Sequence, residues 1–247
     1  MTLLIFILVG ALAQLVDGSI GMGFGMLSST LLITLGTSAA LASASVHLAE
    51  IGTTLVSGFS HWKLNNVDFQ LLRKIALPGS VGAFSGATFL SWLDLSDAKY
   101  FVSVVLMLLG FFLLYRFIFP KHVPMTTNPK FLPFVGLFGG FLDASGGGGW
   151  GPVATPVLMT ATSLEPRKVV GTVNAAEFLV AVSASAGFLL NINRINFQWE
   201  VVIGLAIGGM LLAPIAAKIV ATTPRLILGV AVAIGIILIN AYRIFVA

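Results

Sequence analysis

Long apolar stretches alternate with short polar breaks along the chain, and they predict an all-α membrane protein with ten helical segments. A helix that crosses the hydrocarbon core of a bilayer needs about 20 largely apolar residues. The first two segments of each half are short for a full crossing, so they either span or turn back within the membrane. The predicted segments are residues 3–16, 19–36, 38–60, 75–93 and 98–118, then 131–142, 150–164, 168–190, 200–218 and 224–245.

The composition supports a membrane location and excludes a soluble enzyme. Of the 247 residues, 57% are hydrophobic and 9% are charged, against roughly 25% charged residues in a typical soluble domain. Disorder is excluded because it requires low hydrophobicity and high charge. The net charge of +4 comes without a long basic run, so no nucleic-acid partner is predicted. The chain has no cysteine, which excludes disulfides and thiolate metal sites, and we predict no cofactor.

The two glycine-rich breaks of the chain look like copies of one element. The stretch VGALAQLVDGSIGMGFG at 9–25 aligns with VGLFGGFLDASGGGGWG at 135–151 at an offset of 126. Asp17 then falls on Asp143, and three glycines that follow each aspartate also coincide. Chance similarity between two hydrophobic halves is the alternative, but an ordered match of this kind favours an internal repeat.

A second pair of motifs extends the repeat. After one residue of slippage, SVHLAE aligns with TVNAAE, so that Glu50 falls on Glu177 and His47 on Asn174. The duplication predicts two membrane units joined by a linker. They are repeat 1 at 1–118, a cytoplasmic linker at 119–130 and repeat 2 at 131–247.

Lysine and arginine positions predict how the two repeats are oriented. With a cytoplasmic linker, the basic loops at 61–74, 165–167 and 218–225 also become cytoplasmic, as the bias of basic residues toward that side requires. Five segments per repeat is an odd number, so the second copy is inverted in the membrane. Inverted-topology repeats are typical of secondary transporters. Both termini are then predicted to be non-cytoplasmic.

The glycine-rich breaks are candidate anion-binding elements. Each glycine costs about 1 kcal/mol relative to alanine in a continuous helix, so a new helix is expected to begin after each break. Its first turn presents unpaired N–H groups and the positive end of the helix dipole, which attract anions. Close packing of small residues is the alternative interpretation. The candidate substrate-binding residues are Asp17, Ser19, Gly21, Gly23, Gly25, Asp143, Ser145, Gly147, Gly149, Trp150, Gly151 and Asn174.

Intramembrane ionisable residues are candidates for ion coupling. Glu50 and Glu177 lie near the middle of segments about 23 residues long, close to the bilayer midplane. Burial there disfavours a charged carboxylate, so both are candidate proton carriers together with His47, one helical turn before Glu50. Asp17 and Asp143 are equally well explained as helix caps. A metal site at His47 is disfavoured because its counterpart is Asn174.

The duplicated motifs LVDGSIGMGFG and FLDASGGGGWG, with the stretch GSVGAFSGA at 79–87, resemble the sulfite exporter TauE/SafE family. The resemblance covers essentially the whole chain, although Ala144 stands where the first copy has Gly18. It implies a secondary transporter, rather than an enzyme, that moves a small sulfur-containing anion across the cytoplasmic membrane. Such anions include sulfite, thiosulfate and organosulfonates such as sulfoacetate.

The carboxylates leave a second function open. Four buried carboxylates repel an anion in a low-dielectric site, so either some carry protons or a cation is involved. A proton-coupled anion permease is the favoured interpretation, and a cation or metal-ion permease is the alternative. A membrane-embedded enzyme or scaffold is disfavoured, because the polar residues are shared equally by both repeats. Small-residue helix faces also allow a homodimer.

Overall fold

The computed structural model describes residues 3–20, 22–119, 129–195, 197–219 and 225–246, and regular structure within these ranges is helical. This confirms the predicted all-helical class. Short 3-10 turns lie at Pro129–Phe131 and Ile192–Arg194. The α-helices are α1 (Leu3–Ile20), α2 (Phe24–Thr34), α3 (Ala39–Lys63), α4 (Phe69–Trp92), α5 (Leu95–Ile118), α6 (Leu132–Gly146), α7 (Trp150–Ala161), α8 (Pro166–Leu190), α9 (Trp199–Ile219) and α10 (Arg225–Phe245).

The two breaks begin later than the sequence predicts. Helix α1 continues through Asp17 to Ile20 and α6 continues through Asp143 to Gly146, beyond the predicted ends at 16 and 142. Packing of both helices along a neighbour outweighs the weak helix preference of the glycines. The helices stop where the backbone requires glycine: Gly147 and Gly148 have φ angles of 80° and 125°, and Gly23 has 124°.

Helix length separates crossing helices from shorter ones. In the described part of the chain, α3, α5 and α8 are long and apolar enough to cross a bilayer. Helices α2 and α7, which follow the breaks, have only 11 and 12 residues. At about 1.5 Å per residue they are too short to span a core of roughly 30 Å. Helices α2 and α7 therefore each extend over only part of the membrane core.

Basic side chains gather at one end of the bundle, which we call the basic end. The Asp68 amide donates to the Thr172 hydroxyl at 2.9 Å, which joins the start of α4 to the first turns of α8. A surface pocket of about 260 Å³ joins the starts of α4 and α6 to the end of α7. Since α6 starts and α7 ends there, these two helices form a hairpin that turns back at the break. The basic end carries Lys63, Arg73, Lys74, Lys130 and Lys168.

The other end of the bundle, which we call the far end, is marked by Trp92, Asp97 and Asn191. The Trp92 Nε1 donates to Asn191 Oδ1 at 3.0 Å, so α4 and α8 end together there. Helices α2 and α10 also end together, because the Arg243 guanidinium donates to the Thr34 hydroxyl at 2.6 Å.

Two helix pairs repeat the same packing in the two halves of the chain. Helix α1 runs parallel to α9, and a Cβ at Gly10 would lie 2.4 Å from the carbonyl oxygen of Leu205. Helix α6 runs parallel to α4 in the same way, and a Cβ at Gly136 would lie 2.3 Å from the carbonyl oxygen of Ile75. Gly10 and Gly136 are 126 positions apart, the offset at which the two glycine-rich stretches align, so both stretches make the same kind of close contact.

Candidate functional site

The first break is closed by Asp17, in the last turn of α1. Its Oδ1 accepts a hydrogen bond of 3.3 Å from the backbone N–H of Phe24, the first residue of α2. This carboxylate is only half-buried. Asp17 therefore caps the helix that follows the break while it also faces the space beside it.

The second break repeats this cap with more partners. Asp143 Oδ1 accepts from the backbone N–H groups of Gly149 at 2.7 Å and Trp150 at 2.9 Å. Asp143 Oδ2 lies 3.1 Å from His47 Nε2. Phe24 and Trp150 fall on each other at the offset of 126, so both aspartates cap the same point of the aligned stretches.

The hydrogen bonds of His47 fix the charge of this second cap. His47 Nδ1 lies 2.8 Å from the Ser43 carbonyl oxygen, which can only accept, so Nδ1 carries a proton. Nε2 then shares the remaining proton with Asp143, whose other oxygen already accepts two N–H groups. A single proton lies between Nε2 and Oδ2, so the buried pair has no net charge whichever of the two atoms holds that proton.

The two breaks lie in direct contact. A Cβ at Gly25 would be 2.8 Å from the Gly148 Cα, and a Cβ at Gly148 would be 2.4 Å from the Gly25 carbonyl carbon. The hydroxyl of Ser29 on α2 donates to the Gly147 carbonyl oxygen. The hydroxyl of Ser43 on α3 donates to the Ala144 carbonyl oxygen at 2.7 Å. The first half of the chain therefore holds the tip of the second hairpin.

A polar cavity of about 120 Å³ lies beside this contact. A single buried water needs roughly 10–15 Å³ on the same measure, so the space holds several waters or a small ion. Both breaks, both glutamates and the starts of α2 and α7 contribute to its wall. It is lined by Gln14, Asp17, Met22, Gly23, Phe24, Gly25, Met26, Glu50, Thr53, Thr54, Ser57, Asp143, Gly149, Trp150, Gly151, Pro152, Thr155, Val173, Asn174 and Glu177.

The two glutamates face this cavity without a protein partner in the described ranges. Glu50 on α3 is 6% exposed, and Glu177, at the aligned position on α8, is half-buried. A Cβ at Gly25 would lie 3.2 Å from Glu50 Oε1, so a side chain at position 25 would crowd that carboxylate beside the break. A buried carboxylate without a hydrogen bond is costly when charged, and such groups in membranes mark functional sites.

Backbone N–H groups also remain available at the helix starts. Among the described residues, the amides of Gly25, Met26 and Gly151 make no backbone or side-chain hydrogen bond. Asp17 and Asp143 occupy only the amides at the very beginning of α2 and α7. The positive ends of two short helices therefore meet at one polar cavity.

Trp150 and Asn174 form part of the cavity wall and are fixed by hydrogen bonds. Trp150 is fully buried, and its Nε1 donates to the Val173 carbonyl oxygen at 3.1 Å. Asn174 Oδ1 accepts from the Ser57 hydroxyl at 2.9 Å, and its Nδ2 donates to the Val170 carbonyl oxygen at 3.0 Å.

Some predicted site residues lie behind the cavity instead of lining it. His47 contacts it only through Asp143, and Gly147 holds the turn of the second break. The Ser145 hydroxyl is fully buried and donates to the Phe141 carbonyl oxygen at 2.6 Å within its own helix. Gly21 and the side chain of Ser19 fall outside the described residues.

Sequence reasoning missed a set of polar residues on the cavity wall. Thr53, Thr54 and Ser57 follow Glu50 at spacings of three, four and seven, which place them on one face of α3. That spacing was the available signal, because residues three, four and seven positions after Glu50 share its face of the helix. Gln14, one turn before Asp17, and Thr155 on α7 complete the set.

An apolar helical bundle with a central cavity between two helix breaks is the organisation of a membrane transporter. The family model for the sulfite exporter TauE/SafE matches residues 6–243, and the chain belongs to this family. The resemblance drawn from the duplicated motifs is thereby confirmed.

Two relatives from Bacillus subtilis (strain 168) agree with this class. The chain is 49% identical over 246 residues to the probable membrane transporter protein YtnM, covering 97% of this chain and 81% of the relative. It is 25% identical over 233 residues to the probable membrane transporter protein YdhB, covering 92% of each. No solved structure matches the chain.

Proposed function

We propose that this chain is a secondary transporter that moves a small sulfur-containing anion, such as sulfite, thiosulfate or an organosulfonate, across the cytoplasmic membrane together with protons. The observation that carries the proposal is the cavity where the starts of α2 and α7 meet. Helix starts with unpaired N–H groups bind oxyanions without an arginine. The family description, which names sulfite export, supports the same class of substrate.

The proposed architecture is a pair of inverted-topology repeats. It is supported by the parallel pairs α1–α9 and α4–α6, and by the second hairpin, which starts and ends at the basic end. The basic end is then cytoplasmic, since basic residues favour that side of the membrane. Both termini lie on the other side in this arrangement, and one repeat rocks against the other during transport.

Charge balance supports proton coupling. His47 neutralises Asp143 at 3.1 Å, but Asp17, Glu50 and Glu177 face the cavity without a cationic partner within the described ranges. An anion and ionised glutamates repel each other strongly in such a site. Anion binding therefore requires protons on Glu50 and Glu177, and release of the anion releases those protons.

The same carboxylates favour a second candidate, a cation permease. In that case Glu50 and Glu177 bind the cation directly in their ionised form. Within the described residues no three His, Asp or Glu side chains are arranged to hold a metal ion. The two candidates respond oppositely to acid: protonation of the glutamates promotes anion binding and abolishes cation binding.

Flux into proteoliposomes separates these functions. We expect uptake of sulfite or thiosulfate that becomes faster when the pH is lowered on the side from which the anion is taken up. We expect no flux of divalent cations. The variants Glu50→Gln and Glu177→Gln should still exchange one anion for another. The increase in their uptake rate caused by a pH gradient should be at least tenfold smaller than in the unmodified protein. Glu200→Gln, at an exposed position at the start of α9, is the matched control and should behave as the unmodified protein. Divalent-cation flux without anion flux would contradict the proposal.

A further inference from the structure

The cavity has unequal surroundings toward the two ends of the bundle. Toward the basic end, its wall continues along α3 with Thr53 and Ser57, along α7 with Thr155, and along α8 with Asn174. Thr53, Ser57 and Asn174 keep partial exposure. A continuous set of hydroxyl and amide groups therefore leads away from the glutamates in this direction.

The equivalent positions toward the far end are apolar on α8. The offset of 127 that aligns Glu50 with Glu177 aligns Thr53 with Val180 and Ser57 with Ala184. Both Val180 and Ala184 are completely buried. Because α3 and α8 run in opposite directions, the polar positions lead to the basic end and the apolar positions lead to the far end.

Three buried side chains on the far side bond to the tip of the second hairpin. Ser29, Ser43 and His47 are each completely buried, and each bonds to the segment 143–147 at the tip of the second hairpin. Ser29 is the counterpart of Thr155, and His47 is the counterpart of Asn174. Thr155 and Asn174, in the second half of the chain, line the cavity. Their counterparts in the first half, Ser29 and His47, bond to segment 143–147 instead.

We propose that Thr53, Ser57, Thr155 and Asn174 form the route of the substrate between the central cavity and the basic end, and that Ser29, Ser43 and His47 seal the cavity from the far end. This route rests on the transport function proposed above and specifies the side to which the described conformation is open. The opposite conformation requires release of the three bonds to segment 143–147. The hydrogen bond between Ser57 and Asn174 is a point where the route narrows.

Thiol labelling tests the route directly, because the chain has no cysteine. Single variants Thr53→Cys and Ser57→Cys are compared with the matched variants Val180→Cys and Ala184→Cys, in the purified full-length protein. A small, membrane-impermeant methanethiosulfonate reagent should label the first pair at least tenfold faster than the second pair. Equal rates for both pairs, or no labelling at 53 and 57, would overturn the proposal.

Sealed vesicles add the direction of access. Lys74→Cys and Asp97→Cys, both at exposed positions, mark the basic end and the far end. Labelling at 53 and 57 must occur from the same side as labelling at 74. Labelling from the side that reaches position 97 would overturn the route.

Addition of sulfoacetate, an organosulfonate that does not react with the thiol reagent, then distinguishes the route from the substrate assignment. Slower labelling of Ser57→Cys in sulfoacetate supports both. The same side-specific labelling without any effect of sulfoacetate supports the route and contradicts the proposed substrate class.

Discussion

The two helix breaks occupy equivalent places in the repeat but have different surroundings. Asp17 makes one hydrogen bond to a backbone N–H, at 3.3 Å, and is half-buried. Asp143 makes two such bonds, contacts His47 at 3.1 Å and is 3% exposed. Both keep the capping function of their common position.

This difference separates a rigid break from an adaptable one. The second break is held by a neutral ion pair and by hydroxyl groups from the first half of the chain, so its shape is fixed in this conformation. The first break has a single weak cap, and its carboxylate is free to face the cavity. We infer that the charge of the Asp17 carboxylate at the first break varies more than that of Asp143. The second break forms a fixed part of the cavity wall.

The largest effect is expected from removal of the two caps. Asp143→Ala leaves His47 and two buried N–H groups without a partner, and loss of one member of a buried ion pair destabilises by about 3–5 kcal/mol. Asp17→Ala removes one cap, worth about 0.5–2 kcal/mol. Thermal unfolding in detergent should therefore fall much further for the first variant. Equal shifts would contradict the contrast between the breaks.

The contact between the breaks should tolerate no side chain. Gly148→Ala forces a left-handed residue, with a cost of roughly 1–2 kcal/mol, and brings a methyl group within 2.4 Å of the Gly25 backbone. We expect transport to be lost and the unfolding temperature to fall. Gly235→Ala on α10, where nothing lies within 4 Å of the new methyl group, is the control and should be neutral or slightly stabilising. A normal transport rate for Gly148→Ala would show that the breaks separate.

His47→Asn gives the second break the residue found at the equivalent position of α8. The bond to Asp143 is lost while the two backbone bonds remain, so the loss of stability should be smaller than for Asp143→Ala. If the far side is sealed by this pair, a cysteine at Val180 should also become accessible to a thiol reagent. Unchanged labelling of Val180→Cys in the His47→Asn background would remove His47 from the seal.

The smallest effect is expected at Trp150, whose counterpart is Phe24. Trp150→Phe removes the hydrogen bond of 3.1 Å to the Val173 carbonyl oxygen, a contribution of about 1 kcal/mol. Transport should stay within about threefold of the unmodified protein, with a small decrease in unfolding temperature. A complete loss of anion flux would indicate that the indole group binds the substrate.

The sequence alone predicted the features that repeat along the chain. Apolar runs located the helices, the doubled aspartate–glycine motif located both breaks, and the aligned stretches SVHLAE and TVNAAE singled out both glutamates. Helix ends were less accurate: α1 and α6 extend into the expected breaks because glycine and serine are tolerated where a neighbouring helix packs closely.

Contacts between distant residues could not be predicted. The pair His47–Asp143 joins positions 96 residues apart, and no local pattern indicates which aspartate the histidine meets. Ser145 illustrates the same limit, since its place beside the break gave no sign that its hydroxyl bonds to Phe141 within the helix. The hydroxyl groups after Glu50 were visible as a helical spacing, but their importance depends on which face α3 turns toward the cavity.

A disulfide between the two breaks tests directly whether they meet. A Cβ at Gly151 lies 3.4 Å from the Met22 Cβ, close to the 3.5–4.5 Å that a disulfide requires. The double variant Met22→Cys/Gly151→Cys, with a protease site in the linker 119–130, should keep its two halves joined after cleavage and mild oxidation, and separate after reduction. Halves that separate without reduction, although both cysteines react with a thiol reagent, would show that the breaks do not meet and that the cavity between them does not exist.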